Sequence, residues 1–250
     1  MIVNKLVKKL HLRYSKEQAH VVAWWLVEAL TKKGKLELIT TKYTLSNAEN
    51  ETLEQWVYEH IEENKPLQYI IGSLPFGPLT IQVSPPTLIP RPETEEWCAQ
   101  LIESIKHRKD IHTILDMCTG SGCIGLWLAQ EFPNAHVYAV DISEEALNLA
   151  EQNATLNKIS NITFVRSDLF ENLKPGLKFD LIVSNPPYIA AAEWEDLEPV
   201  VKDWEDRGAL IAENEGLDLI EKIVTQALSW LTPNGNLYIE IGHTQSAQVK

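Results

Sequence analysis

Asn185-Pro186-Pro187-Tyr188 is the stretch whose residue types and spacing can do chemistry. It follows Leu181-Ile182-Val183, a short apolar run of the buried parallel-strand kind. Neither proline has an N–H, and each holds φ near roughly −65°, so the backbone after Asn185 cannot continue a hydrogen-bonded ladder. The turn presents a stiff edge: the Asn185 amide, the carbonyls around Pro186 and the ring of Tyr188. That set can hold a planar group carrying an NH2, such as an amide or a nucleobase amine. Taken alone, the tetrapeptide is as readily a strand that ends in a proline turn.

The elements that must position it follow from periodicity. From residue 111 onward short apolar strands alternate with amphipathic helices: strand 113–116, helix 124–130, strand 136–141, helix 143–157, strand 162–165 and strand 179–184. Ser143 caps the second of those helices, with Glu144 and Glu145 in its first turn. A long acidic connection leads to helix 216–231, a turn at Pro233-Asn234-Gly235 and strand 237–241. The pattern predicts an α/β, Rossmann-like doubly wound parallel sheet.

A second constellation falls at the strand ends of that sheet. Asp116 closes the first strand and Met117-Cys118-Thr119-Gly120-Ser121-Gly122 leads into a helix, with Gly120, Gly122 and Gly125 matching G-x-G-x-x-G. Glycines there let a ligand approach the backbone. Asp141 ends the second strand and can accept both hydroxyls of a ribose, in a nicotinamide enzyme or a methyltransferase alike. Asp168 and Leu169 follow the third strand, where a methyltransferase contacts adenine. The bland readings are a helix-capping acid for Asp141 and a loop carboxylate for Asp168. Together with Asn185, all of these fall at strand C-terminal ends, where open α/β sheets bind ligands.

Residues 1–72 read as a helical domain. Leu6, Leu10, Val21, Val22, Trp25, Leu26 and Ala29 recur at helical spacing with Gly34 as a stop, and Ser46 with Glu49 forms a capping box before a helix carrying Leu53, Trp56, Val57 and Ile61. Trp24, Trp25 and Trp56 are expected as core and helix-contact residues, with a partner-docking face as the minority reading. Residues 76–83 look like a hairpin of short strands. Leu88-Ile89-Pro90-Arg91-Pro92-Glu93-Thr94-Glu95 then enters helix 93–106 and is also a natural wall for an active site. The expected division is 1–72 helical, 73–92 hairpin and linker, and 93–250 catalytic.

Composition narrows the function. The 250 residues carry a net charge of −13 and 44% apolar residues, enough for a full core. The charge is uneven: residues 1–72 hold 10 Lys/Arg against 9 Asp/Glu, and residues 73–250 hold 12 against 26. An acidic main body is a poor electrostatic partner for duplex DNA. Cys98, Cys118 and Cys123 have neither zinc-site nor disulfide spacing, so no metal is expected and a reducing compartment fits. The apolar run 21–30 is too short to span a bilayer.

These residues resemble a class I S-adenosylmethionine methyltransferase, and specifically the release-factor glutamine N5-methyltransferase family. The resemblance rests on Pro66-Leu67-Gln68-Tyr69-Ile70-Ile71-Gly72, on 88–95, on 116–122 and on Val183-Ser184-Asn185-Pro186-Pro187-Tyr188-Ile189, and covers nearly the whole chain. It implies S-adenosylmethionine as cofactor, bound by Cys118, Thr119, Gly120, Ser121, Gly122, Asp141, Asp168, Leu169 and Asn185. It implies a glutamine substrate, held by Asn185, Pro186, Pro187 and Tyr188, with Asn185, Pro186 and Tyr188 catalytic. The expected partner is a peptide-chain release factor docked by residues 1–72, with no stable nucleic-acid binding and no membrane. A monomer in the cytoplasm is expected, or in the mitochondrion if the source is eukaryotic. Cys118, where the family usually has Gly, is closer to the ribosomal-protein glutamine methyltransferases, which stand as the alternative ahead of a DNA adenine N6-methyltransferase. The family continues past Lys250 with a helix and two closing strands, which are expected to be absent here.

Overall fold

The computed structural model describes residues 2–249. They divide into two compact units, one of residues 1–72 with 199–204 and one of 73–198 with 205–250. Residues 199–204 thus belong with the N-terminal helices, although by sequence they fall inside the catalytic region.

The first unit holds α1 (Ile2–Leu10), α2 (Lys16–Thr31), α3 (Lys35–Thr40), α4 (Asn47–Glu62) and α5 (Leu67–Ile71). Two capping boxes start its long helices. Ser46 and Glu49 satisfy each other's backbone N–H groups at α4, and Ser15 and Gln18 do the same at α2, where the sequence reading had seen none. Gly34 does not stop α2: Lys32 ends it with φ 55°, and Gly34 instead opens α3. Leu6, Leu10, Leu26 and Leu53 have almost no exposed surface, and Trp24, Trp25 and Trp56 pack partly buried against that cluster. His60 is buried, its Nε2 2.7 Å from the Tyr14 hydroxyl and its Nδ1 2.7 Å from the Lys65 carbonyl.

The second unit opens with an antiparallel hairpin, β1 (Ser73–Phe76) and β2 (Leu79–Gln82), earlier by three residues than the strand alternation suggested. Helix α6 (Pro92–Ile105) starts with Pro92 in its first turn and Glu93 and Glu95 near its positive end. The sheet then forms from β3 (Thr113–Met117), α7 (Cys123–Glu131), β4 (His136–Asp141), α8 (Glu144–Leu156), β5 (Ile162–Arg166) and β6 (Phe179–Ser184). A short parallel pair, β7 (Ile189–Ala190) and β8 (Ile211–Ala212), brackets the one-turn α9 (Pro199–Lys202), and α10 (Asp218–Trp230) leads into β9 (Leu231–Ile239).

The five long strands are all parallel, in the order β5-β4-β3-β6-β9. The chain winds outward from β3 through β4 to β5, then returns to the other side of β3 with β6 and β9. The crevice between β3 and β6 is therefore the topological switch point, where ligands of such sheets bind. Leu115, Val183, Leu181 and Ile182 are wholly buried there, each stabilising the fold by about 1.5–3 kcal/mol relative to an exposed position. Pro233-Asn234-Gly235 is not a separate turn. It lies within β9 as an irregularity, because Phe179 pairs with Leu231 while Leu181 pairs with Asn236. The missing N–H of Pro233 and the small Gly235 suit a looped-out segment, which Thr232 pins through its hydroxyl to Asp180 at 3.0 Å. Among the described residues β9 is an edge of the sheet.

Candidate active site

The switch point opens into a cavity of about 390 Å³ within the second unit. Its floor is the end of β3, where Met117 is buried and Cys118 turns with φ 60°. That left-handed backbone favours glycine, so a cysteine is held here at a conformational cost of order 1 kcal/mol or more. Burial pushes the Cys118 thiol up, away from thiolate.

Behind the floor, Asp116 is wholly buried. Its Oδ2 accepts from the Thr119 hydroxyl at 2.5 Å and the Gly125 N–H at 2.9 Å, while Oδ1 has no partner. Burial raises its pKa to about 7. These bonds set the loop from Thr119 to the start of α7. Gly120, at φ +54°, lines the cavity, and a Cβ there would meet nothing within 4 Å, which leaves bare backbone open to an incoming ligand.

Asp141 closes β4 on the next wall. One oxygen accepts from the Gly120 N–H at 2.8 Å and the other from the Ser143 N–H at 3.0 Å. Burial raises its pKa, and the backbone N–H groups of Ser143 and Gly120 pull the other way by favouring the carboxylate. The two carboxylate oxygens form an acceptor pair suited to two hydroxyls. Asp168 is exposed and Leu169 buried at the third wall. A fourth wall comes from the loop that ends at Leu88, in the segment expected to wall the site, and from a second loop at Asp206. Arg91 Nη2 lies 2.7 Å from both oxygens of the buried Glu205, Ile89 donates its N–H to Glu205 Oε2, and Asp206 donates its N–H to the Pro86 carbonyl at 2.7 Å. Burial raises the Glu205 pKa and Arg91 lowers it. This stitching holds Pro86, Thr87 and Leu88 beside Asp206 along the cavity edge.

The opposite rim is Asn185 with Pro187. Asn185 is half-buried and its Nδ2 donates to the Thr94 hydroxyl at 3.1 Å. Tyr188 donates its hydroxyl to Glu240 Oε1 at 3.3 Å, and burial, with Glu240 beside it, pushes its pKa up to about 12.

Of the expected site residues, the cavity gathers Cys118, Gly120, Asp141, Asp168, Leu169, Asn185 and Pro187 from four separate loops. Thr119, Ser121, Gly122, Pro186 and Tyr188 are not on its walls. Thr119 and Ser121 are buried behind the loop, and Gly122 ends it at the start of α7 with φ +84°. Sequence reasoning missed the second set of wall residues, including Asp206 and Lys222, which nothing in their local sequence marks. It also missed Glu240, for which a signal existed: a lone charge between Ile239 and Ile241 in an apolar strand end. Among the described residues, no group of three or more His, Cys, Asp or Glu could hold a metal ion. No helix among them is long and apolar enough to cross a membrane.

Comparison with known proteins bears on the same residues. Residues 96–198 match the Methyltransferase small domain model, and residues 3–72 match the PrmC N-terminal domain model. The release factor glutamine methyltransferase of Lactococcus lactis subsp. lactis is 42% identical over 227 residues, covering 91% of this chain and 81% of that one. The protein of the same name from Flavobacterium psychrophilum is 36% identical over 247 residues, 95% of this chain and 84% of its own. Among solved structures, the hMettl16 catalytic domain in complex with a MAT2A 3'UTR hairpin superposes with a TM-score of 0.54 at 19% identity, over 81% of this chain and 70% of that one. At that identity it shares the fold alone.

Proposed function

The chain belongs to the release factor glutamine methyltransferase family, and from that premise we propose that it transfers a methyl group from S-adenosylmethionine to the side-chain amide nitrogen of a glutamine, in the Gly-Gly-Gln loop of a peptide-chain release factor. One observation carries the reading: a single cavity runs from the Cys118–Gly120 loop past Asp141 and Asp168 to Asn185 and Pro187. A donor site and an NH2-binding turn thus share one space.

The residues present fit the cofactor. Asp141 would accept the ribose hydroxyls, the open backbone at Gly120 would take the close approach, and Asp168 with Leu169 would face the adenine. Cys118 and Asn185 would border the amino-acid end, while Thr119, Ser121 and Gly122 shape the loop from behind. When bound, the cofactor supplies an electrophilic methyl group on a sulfonium.

What this chain must do is make a poor nucleophile attack. An amide nitrogen is weak because its lone pair is delocalised into the carbonyl. Acceptors on its two hydrogens, Asn185 Oδ1 and the Pro186 carbonyl, would aim the nitrogen and counter the positive charge that develops on it. Tyr188 and Pro187 would confine the amide plane. The charged product amide is a strong acid and gives its extra proton to water, so no strong base is needed. Catalysis then rests on positioning and electrostatics. In this reading residues 1–72 dock the substrate protein: Leu12, Val21 and Leu36 stand exposed on that unit. The chain works in the cytoplasm as a monomer and holds no nucleic acid stably.

Incubation with methyl-labelled S-adenosylmethionine tests it. Label should enter an intact release factor and not its Gln→Ala loop variant; label on adenine-containing DNA or a ribosomal protein instead would overturn the assignment. Asn185→Ala should lower kcat by on the order of 100-fold or more while cofactor affinity stays within a few-fold. Parent-like turnover in that variant would remove Asn185 from the reaction.

A further inference from the structure

The inner side of Asn185 carries a proton count that decides which way its amide faces. Thr94, on α6, is 2% exposed; its hydroxyl donates to Glu240 Oε2 at 2.8 Å and accepts from Asn185 Nδ2 at 3.1 Å. Glu240 follows β9 directly, and its backbone N–H donates to the Ser184 carbonyl at 2.9 Å, so it is tied to the residue before Asn185. Its carboxylate also receives the Trp97 indole N–H at Oε2 and the Tyr188 hydroxyl at Oε1.

A threonine hydroxyl has one proton, and an ionised carboxylate can only accept. Thr94 must therefore give its proton to Glu240, and it can face Asn185 only as an acceptor. The edge of the Asn185 amide that meets it must be the NH2. Oδ1 is then left for the other side. The same count applies to Tyr188: its single proton is committed to Glu240, so its oxygen too is left as an acceptor.

We propose that Glu240, acting through Thr94, is the positioning residue that sets the Asn185 amide with Oδ1 toward the substrate. An acceptor aimed this way takes a donor hydrogen of the substrate NH2 and turns away a carbonyl. A flipped Asn185 would set NH2 against NH2 and lose the aim of the nucleophile. This rests on the glutamine-methylation reading for its kinetic arm, and on hydrogen bonding alone for its spectroscopic arm.

The experiment uses the full chain with the release factor as substrate. Thr94→Val, which keeps the shape and removes the hydroxyl, and Glu240→Met should each lower kcat by on the order of 100-fold, with KM and the S-adenosylmethionine Kd within about threefold of the parent. Thr94→Ser should recover to within about threefold, and Glu240→Gln, whose one oxygen can still serve both Thr94 and Trp97, to within about tenfold. Parent-like kcat in Thr94→Val, or a loss shared equally by Thr94→Ser, overturns the proposal. Independently, the Asn185 side-chain NH2 resonances, assigned by their loss in Asn185→Asp, should exchange slowly with water in the parent and in Thr94→Ser, and fast in Thr94→Val. Fast exchange in the parent overturns the proposal whether or not the chain methylates glutamine. Failure of the parent to label any release factor, with slow exchange intact, condemns the functional reading and leaves the amide orientation supported.

Discussion

Asp116 sits at the heart of the glycine loop with one oxygen bonded twice and the other not at all. A carboxyl buried without a partner for one oxygen favours its neutral form, and its pKa rises from 3.8 to about 7. The folded protein therefore holds this proton over a range in which the unfolded chain has lost it. The stability this proton contributes is fully present below about pH 4 and is lost as pH rises through about 7, with a slope of at most about 1.4 kcal/mol per pH unit between. Asp116→Asn keeps an acceptor for Thr119 and Gly125 but cannot titrate. We expect the difference in unfolding free energy between parent and Asp116→Asn, measured by urea titration from pH 5 to 8, to shift in the parent's favour on acidification. A pH-independent difference would show that Asp116 ionises normally.

At the scale of elements, the Asn-Pro-Pro-Tyr turn is held from behind by segments far along the chain. Gln245, 5% exposed, donates Nε2 to the Tyr188 carbonyl at 2.9 Å and to the Glu215 carbonyl at 3.2 Å. Gly216, just before α10, packs so closely that a Cβ would lie 2.1 Å from the Tyr188 carbonyl oxygen, at a φ of +84° that side chains avoid. Backbone must move to admit even a methyl group. Gly216→Ala is expected to cost about 2–4 kcal/mol and to reduce kcat, because the turn it displaces carries Asn185. Gly176→Ala is the control: its φ is +89°, yet nothing lies within 4 Å of the added Cβ, so it should lose only about 1–2 kcal/mol and leave kcat alone. Equal losses in the two variants would show that the close approach to Tyr188 does not matter.

At the scale of the whole molecule, each unit has its own core, and the cavity belongs wholly to the second. A ligand that binds only the folded second unit stabilises it by about 2.7 kcal/mol at 100 times its Kd. Hydrogen exchange with and without S-adenosylmethionine should show new protection in three stretches remote in sequence, 117–122, 141–146 and 167–169. Protection concentrated in residues 2–72 instead would move the cofactor site out of the cavity. The net charge of −13 also lives mainly in the second unit, which argues against a substrate recognised by its phosphates.

The sequence by itself determined the alternation of strands and helices, the strand-end positions of Asp116, Asp141, Asp168 and Asn185, and the stiff proline turn. Those features are local: a period of two or 3.6, a cap, a missing N–H. Their convergence at one crevice also follows, since a doubly wound sheet brings strand C-terminal ends together whatever the loops contain. Only the tertiary structure decided what stands behind and around them. Glu240 reaches Thr94, Trp97 and Tyr188 across more than fifty residues of chain, and Glu205 grips Arg91 across 114. No local rule selects such partners, because each pairing depends on how β9 and the 205–209 segment come to lie once the core of the second unit is closed. The turn could be read from four letters; the orientation of its one amide required the proton of a threonine ninety-one residues away.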